Sequence, residues 1–451
     1  MTGQPSRRSF LVASGAVLAT VSMRGRRPVV DVRDHGARGN GKRLDTKAIQ
    51  RAVDAAAKSR GTVVFRKGTY LAGSIELRSG VRLVIERGAT LLASPRTTDF
   101  FPRERLPYVT YSDFETNDFR NGFLVGDRRR GIVVTGDGTI DMQRDRRFGP
   151  KPIALRRCRD VEVSELTIRN SPNYCVSLGG CDGVVVENVT IRDAFADGID
   201  PDSCRRVRIT KCDVESDDDA IVLKSSLILG RPTPCEDITI RDCRMDSPSN
   251  GFKIGTETSG DVRRVEVRNC RIDGTPRPGA DPAGLVLAQE GGGIAIESVD
   301  GAHVEDVAIS DVTVEHCDVP IFIRLGSRGR GQRPPMPGTV RGITIERLNA
   351  TAATEACTIS GVPGHAVESI TLRDVRIEVA PAAAPPAGAV PELEAEYPQA
   401  GMFGALPASG FYVRHAAGVE LRNAHVTVTN GDRRPVLATD DVTKLVADPP
   451  L

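Results

Sequence analysis

The sequence has 451 residues, a formal net charge of +2 at pH 7, no Trp and only 4% aromatic residues. This length allows one large domain or two to three ordinary ones, and the near-neutral charge argues against nucleic acid or an anionic membrane as the main partner. The 45 glycines and the many Val- and Ile-rich apolar runs favour β structure with tight turns.

The N-terminus has the pattern of an export signal. The run Ser6–Val12 contains adjacent arginines as in a twin-arginine motif, and an apolar stretch continues to about Val21. This stretch is too short to cross a membrane, and no other run reaches ~18 apolar residues. We therefore predict a twin-arginine-type signal over residues 1–27, a single mature domain over 28–451, and a periplasmic or extracellular location. A basic tail without a targeting role is the alternative.

One short helix is predicted near the start of the mature chain. Apolar residues recur at helical spacing over Asp45–Ala57, with Asp45 or Thr46 as the N-cap. From Gly61 onward no helix pattern of comparable quality occurs. We expect this helix to cap one end of a solenoid, whose exposed edge would otherwise pair with other strands.

A strand-like unit repeats along the rest of the chain, with a period near 23 residues in the first copies. Each copy alternates apolar and polar residues, as a strand with one buried face does. The spacing of leucine-rich repeats is absent, and a propeller needs a longer period. We therefore predict an all-β fold, a single-stranded right-handed parallel β-helix with ~4.8 Å between coils. The copies begin at Val161, Val184, Val207, Ile238, Val265, Val307, Ile343, Ile370 and Val419.

Cysteines follow the same period. Cys158, Cys181 and Cys204 are separated by the same interval as Val161, Val184 and Val207, so they occupy one column of neighbouring coils. A ladder of small buried residues is favoured over disulfides. No Cys or His spacing fits a metal site, so we predict neither a metal nor a cofactor.

Four insertions interrupt the repeat. On solenoids such insertions often surround the binding face, and the way they close a groove decides between internal and terminal cleavage of a polymer. They are Ser94–Arg120, Asp273–Gly293, Gly326–Val340 and Ala380–Ser409.

Two acidic clusters fall in register on neighbouring coils. Aligning the short strand after each repeat places Asp197 and Asp219 in one column, with Asp218 beside them. Carboxyls this close cannot all ionise freely, so their pKa values should be pushed apart. One can then protonate a leaving oxygen while another activates water, for which ~6.5–9.5 Å between carboxyls is expected. Asp also marks ordinary turns, but two clusters in register favour glycoside hydrolysis.

The same alignment predicts two outward-facing columns that flank the clusters. One runs from Asp200 through Val222 to Lys253, and the other from Asp202 through Lys224 to Glu297. Alternatively, Lys224, Lys253 and Arg324 are ordinary solvated surface charges. The predicted substrate-binding residues are Asp200, Asp202, Lys224, Asn250, Lys253, Glu297 and Arg324.

Several of these stretches resemble glycoside hydrolase family 28, the polygalacturonases and rhamnogalacturonases. Asp34–Gly41, Gly68–Leu71 and Gly136–Asp141 are similar to bacterial members. The first acidic motif of the family, Asn-Thr-Asp-Gly, corresponds to Phe195–Gly198, and the second, Gly/Gln-Asp-Asp, to Asp217–Asp219. The resemblance spans nearly all of the mature chain.

The resemblance implies roles for the acidic residues. Asp218 would be the general acid, and Asp197 and Asp219 would hold and activate the water. It also implies inversion at the anomeric carbon, and a pectin-like polysaccharide or oligosaccharide as the partner. We expect a monomer.

Two family motifs are replaced. Gly-His-Gly corresponds to Ser249–Gly251, with Asn250 in place of His. Arg-Ile-Lys, which binds a substrate carboxylate in polygalacturonases, falls on Ala295–Glu297. A Glu that faces a uronate would repel it, so a branched or mixed pectic substrate is favoured over ordinary polygalacturonan.

Two other functions stay open. A β-helix polysaccharide lyase would use carboxylate-bound Ca²⁺ and a basic residue, for which Lys253 near Asp200 is the candidate. A non-catalytic carbohydrate-binding β-helix would fit the replaced motifs. An ultraviolet-absorbing unsaturated product would indicate the lyase, and binding without turnover would indicate the binding protein.

Overall fold

The structure is a computed structural model that describes residues 27–275, 291–382, 384–385 and 388–451. Nearly all of the predicted export signal and most of the insertion Asp273–Gly293 lie outside the described residues. Within the described part no helix has the length and apolar character needed to cross a membrane.

The chain forms a right-handed parallel β-helix, as predicted. Three parallel sheets run along it, and each strand pairs with its counterpart one coil away. The floor sheet, named for its position beneath the acidic clusters, consists of Ile75–Glu76, Gly122–Asp127, Lys151–Arg156, Val176–Gly179, Ile199–Asp202, Ile221–Ser225, Asn250–Thr258, Gly292–Ser298, Val319–Leu325, Cys357–Ser360 and the first residues of Phe411–Arg422 and Leu437–Asp448.

The other two sheets complete each coil. The second consists of Val29–Asp31, Thr62–Phe65, Arg82–Ile85, Arg130–Thr135, Arg159–Ser164, Asp182–Glu187, Arg205–Thr210 and Cys235–Arg241. The third consists of Asn40–Leu44, Gly68–Ala72, Ala89–Ala93, Thr139–Asp141, Thr167–Ser171, Thr190–Ala194, Asp213–Ser216, Arg244–Asp246 and His425–Val428. Longer strands that belong to both are Val262–Asp273, His303–Glu315, Thr339–Ala353 and Val367–Val379.

The corner between these two sheets is a single residue with a positive φ. Asn188 and Lys211, one coil apart, have φ of 53° and 56°, and Asp242 takes the same place on the following coil with φ 57°. Asn and Asp enter this left-handed region more readily than most residues. The strand can therefore turn without a loop, which keeps the coils in register.

The helices in the described chain are few and short. The predicted helix is confirmed as Thr46–Ala57, with Asp45 as its N-cap residue, and Ile49, Ala52 and Val53 are buried against the first coils. Its apolar stripe therefore covers the open end of the solenoid. The remaining helical segments are Val32–His35, Thr97–Asp99 and Phe114–Asn117.

One apolar core runs inside the solenoid from the first coil to the last. In the floor sheet, Ile199 pairs with Ile221, then Phe252 and Ile294 continue the column. All four are fully buried, so the register deduced from the repeat is confirmed. The cysteines at described positions are free and buried, and Cys181 and Cys204 stack through a contact of 3.3 Å from the Cys181 N–H to Cys204 Sγ.

Candidate active site

Three carboxylates meet where two neighbouring strands enter the floor sheet. The Gly198 N–H donates to the Asp219 carbonyl at 3.0 Å, which places the two acidic segments side by side. One oxygen from each of Asp197, Asp218 and Asp219 lies within 4.8 Å of the others. The structure therefore brings together the three acids that the repeat aligned.

Two buried lysines neutralise this cluster. Lys224 Nζ lies 2.7 Å from Asp197 Oδ2 and 3.0 Å from Asp200 Oδ2, and Lys253 Nζ lies 3.3 Å from Asp219 Oδ2. Burial opposes the charged form of Lys224, but Asp197 and Asp200 outweigh it and raise its pKa well above the ordinary value. Lys253, the candidate base of a lyase, thus contacts Asp219, and Lys224 is the lysine that contacts Asp200.

The three acids differ in their electrostatics. Burial raises the pKa of Asp197 and of Asp219, and the charge of neighbouring Asp218 adds to both shifts. Burial acts in the same direction on Asp218, but Arg147 and Lys253 outweigh it and lower its pKa. In the free protein Asp218 is thus the most readily ionised of the three.

Arg147 is the partner of Asp218 and was missed by the sequence analysis. Its Nη1 lies 2.7 Å from Asp218 Oδ2 and its Nη2 lies 2.9 Å from Glu115 Oε2. Glu115 belongs to the insertion Ser94–Arg120 and is buried. Arg147 lies in an irregular stretch between strands, where the repeat provides no register, so no sequence signal pointed to it.

Asn250 and Ser249 hold the acids from the next coil. Asn250 Nδ2 donates to Asp219 Oδ1 at 2.7 Å, and Ser249 Oγ lies 3.3 Å from one oxygen each of Asp218 and Asp219. Asn250 was predicted to bind substrate, and here it orients an acid. Because an amide does not titrate, Asn250 adds a hydrogen-bond donor to the site but does not take up or release a proton there.

Tyr174 lies beneath the cluster and was also missed. Its ring centroid is 4.1 Å from Lys224 Nζ, in the range of a cation–π contact. The Cys175 N–H donates to the Asp197 carbonyl at 3.0 Å, so Tyr174 stands one coil before Asp197. Extending the repeat alignment by one coil would have found it.

Two predicted substrate-binding residues have other contacts. Asp202 accepts hydrogen bonds from the Ser226 N–H at 2.9 Å and from Ser203 Oγ at 2.8 Å. Arg324 is buried and donates to the carbonyls of Gly361 and Glu392, both at 2.8 Å. Through these contacts Asp202 fixes a turn and Arg324 anchors the insertion Ala380–Ser409, and their binding of substrate stays a prediction.

Glu297 is buried beside Lys253. Burial raises its pKa to about 7, although Lys253 acts in the opposite direction. The repulsion of a uronate expected from the sequence is therefore weak below neutral pH. Ala295 stands where the family motif has its arginine, and it belongs to one apolar cluster with Phe403. The insertion Ala380–Ser409 therefore covers this position.

An aromatic side chain stands at the mouth of the site. Tyr397, from the insertion Ala380–Ser409, is 53% exposed, and its hydroxyl accepts a hydrogen bond from Thr256 Oγ1 at 2.9 Å. Lys253 Nζ lies 5.9 Å and Arg328 Cζ 5.8 Å from its ring centroid. An exposed ring held in this way offers a flat apolar surface next to the acids.

Known proteins with related sequences include polygalacturonases of plants and bacteria. A probable polygalacturonase from Vitis vinifera is 28% identical over 379 residues, which cover 77% of this chain and 74% of the relative. An endo-polygalacturonase from Pectobacterium parmentieri is 23% identical over 350 residues, covering 66% of this chain and 84% of the relative.

Solved structures share the fold. A family 28 exopolygalacturonase from Yersinia enterocolitica superposes with a TM-score of 0.71 at 16% identity, covering 92% of this chain and 78% of the other. A hyperthermoactive exopolygalacturonase from Thermotoga maritima superposes with a TM-score of 0.65 at 24% identity, covering 79% of this chain and 88% of the other.

The family model described as glycosyl hydrolases family 28 matches residues 134–385, which is more than half of the chain and includes all three acids. The protein is therefore a glycoside hydrolase and belongs to family 28.

Proposed function

We propose that this protein hydrolyses glycosidic bonds in galacturonan- or rhamnogalacturonan-type pectic chains. The observation that carries the proposal is the meeting of Asp197, Asp218 and Asp219 within 4.8 Å. Relatives named as polygalacturonases in a plant and a bacterium support a pectic substrate.

In the proposed reaction the form of the protein with Asp218 protonated is the reactive one, and Asp218 donates its proton to the leaving glycosidic oxygen. A water held by Asp197 and Asp219 adds to the anomeric carbon and gives its proton to one of these carboxylates. Asp218 is the most exposed of the three, with 23% of its side chain accessible, so it is the acid that a sugar oxygen can reach from outside.

We propose that the configuration inverts. Asp219 accepts from Asn250 on one oxygen and faces Lys253 with the other. Such a carboxylate is better suited to orient water than to form a covalent bond to sugar.

Export is a separate part of the proposal. The arginine pair at positions 7 and 8 supports a twin-arginine route to the periplasm or beyond. Replacing both arginines with lysine should keep the protein in the cytoplasmic fraction, and unchanged export would refute the route.

Purified protein on defined pectic oligosaccharides tests the activity. We expect new reducing ends, with the first-formed anomer identified by NMR as the inverted one. Asp218→Asn should lower turnover by at least 100-fold, while Asp213→Asn, a surface carboxylate on the same coil, should not. Retained activity in Asp218→Asn would remove it as the acid.

The same assay separates the alternatives. A product that absorbs in the ultraviolet and depends on Ca²⁺ would indicate a lyase. Binding of pectic fragments with no product of either kind would indicate a non-catalytic β-helix.

A further inference from the structure

Building on the proposed hydrolase function, we propose that this protein acts on chain ends and short oligosaccharides, and does not cut long chains internally. The proposal rests on how three insertions cover the floor sheet around the acids.

The floor sheet is buried on both faces. Every residue of the strands Lys151–Arg156, Ile199–Asp202, Asn250–Thr258 and Val319–Leu325 is buried. By contrast, Arg205–Thr210 in the second sheet has the alternation of buried and exposed residues that a solvent-facing strand shows. Where nothing packs on a strand, its outward residues are exposed. The two ends of the floor are therefore covered by other parts of the chain, while the charged residues between them are buried against one another.

The insertion Ser94–Arg120 covers the N-terminal end of the floor. Phe119 packs with Ile228 over the outward residues Val125 and Ala154. A Cβ placed on Gly179 would lie 2.7 Å from the Phe119 ring, which shows that the ring rests directly on the floor. A chain lying along the solenoid axis would meet Phe119 as a wall.

The insertion Ala380–Ser409 covers the C-terminal end. Its residues Phe403 and Leu406 pack over the outward residues Ala295, Phe322 and Tyr412. Arg324 donates to the Glu392 carbonyl at 2.8 Å, and Arg414 donates to the Val390 carbonyl at 2.9 Å. Buried guanidinium groups therefore fasten this cover to the floor.

A third contact closes one side. Arg330 of the insertion Gly326–Val340 donates to the Tyr111 carbonyl at 2.9 Å and pairs with Glu257 at 2.6 Å. Two insertions that are far apart in the sequence thus meet beside the floor. This contact therefore bounds the floor on one side.

Among the described residues, the part of the floor between these covers is short and has the acids at its centre. Between the covered Ala154 and Ala295 the outward column contains Ser177, Asp200, Val222 and Lys253. Five steps of ~4.8 Å give about 24 Å from one covered residue to the other. Asp197 and Asp219 belong to the middle two coils, so either side of the bond to be cleaved has room for only a few sugars.

Wild-type protein on polygalacturonate and on rhamnogalacturonan gives the primary test. We expect mono- or disaccharides from the earliest time points, with little fall in viscosity for each reducing end formed. A rapid fall in viscosity with a ladder of internal fragments would overturn this inference and leave the proposed function standing. Absence of product from polymer and oligosaccharides alike would overturn both.

Two variants test the covers themselves. Phe119→Ala and Phe403→Ala each remove one wall, and their thermal unfolding reports whether the fold is kept. We expect the rate on long chains relative to a trisaccharide to rise at least threefold in one of them. An unchanged ratio in both folded variants would overturn the assignment of these rings as end walls.

Discussion

Arg147 Nη1 donates to Asp218 Oδ2 at 2.7 Å, and the same guanidinium pairs with buried Glu115 at 2.9 Å. The insertion Ser94–Arg120 is thereby connected to the proposed general acid. Arg147 is also 22% exposed, so a substrate that enters the site meets it together with Asp218.

Arg147→Gln should shift the pH profile of kcat/KM. A general acid must be protonated, so activity falls as pH rises through its pKa. Arg147 lowers the pKa of Asp218, so its removal should move the basic limb upward by about one pH unit. Arg146→Gln, at an exposed residue that pairs with the exposed Asp145, is the matched control. A basic limb that stays in place would show that Asp218 is not the acid that titrates there.

Lys224→Met should impair both stability and turnover. It would leave Asp197 and Asp200 buried without their shared cation, a loss that costs about 3–5 kcal/mol in comparable buried pairs. Loss of Lys224 would raise the pKa of Asp197 further and leave less of the carboxylate that can accept a proton from water, so we expect at least a 100-fold fall in kcat.

Lys211→Met provides the comparison for this variant. Lys211 is 63% exposed and lies 3.2 Å from Glu187, and exposed pairs contribute about 0–1 kcal/mol. Thermal unfolding and kcat measured on both variants check the prediction. Equal effects in the two would contradict a special role for the buried pair.

Tyr397→Ala should raise KM with a smaller effect on kcat. The exposed ring offers stacking area at the mouth, and a loss of about 1.4 kcal/mol corresponds to a tenfold weaker interaction. Tyr397→Phe keeps the ring and removes only the hydrogen bond from Thr256, so its KM should stay near that of the wild type. Similar KM values for the Ala and Phe variants would exclude stacking.

The repeat explains why part of the site could be predicted. Aligning its copies fixes the register between coils, and side chains alternate with period 2 along each strand. Asp197 and Asp219 could therefore be placed together from the sequence alone. Tyr174 obeys the same register and was within reach of the same reasoning.

The rest of the site lies where the repeat has no predictive value. Arg147 and Tyr397 come from irregular segments whose path over the floor depends on tertiary packing. Burial also changed the chemistry of residues that were placed correctly. Glu297 was expected to repel uronates as a free charge, and Arg324 to face the groove, but both are enclosed by neighbouring segments.

Glu297→Gln should stabilise the protein more at high pH than at low pH. Burial raises the folded-state pKa of Glu297 to about 7, from 4.5. Between these values the folded state binds more protons than the unfolded state, so stability falls as pH rises through this window. A shift of this size corresponds to a loss on the order of 3 kcal/mol once pH exceeds 7. Gln does not titrate, so the variant should escape this loss.

The measurement is the difference in Tm between Glu297→Gln and wild type at several pH values. We expect the difference to grow in favour of the variant from pH 5 to pH 8. Glu187→Gln, on the outer surface beside Lys211, controls for the chemical change itself. A pH-independent difference would mean that Glu297 is already ionised at pH 5, and a uronate approaching Lys253 would then meet its full negative charge throughout that range.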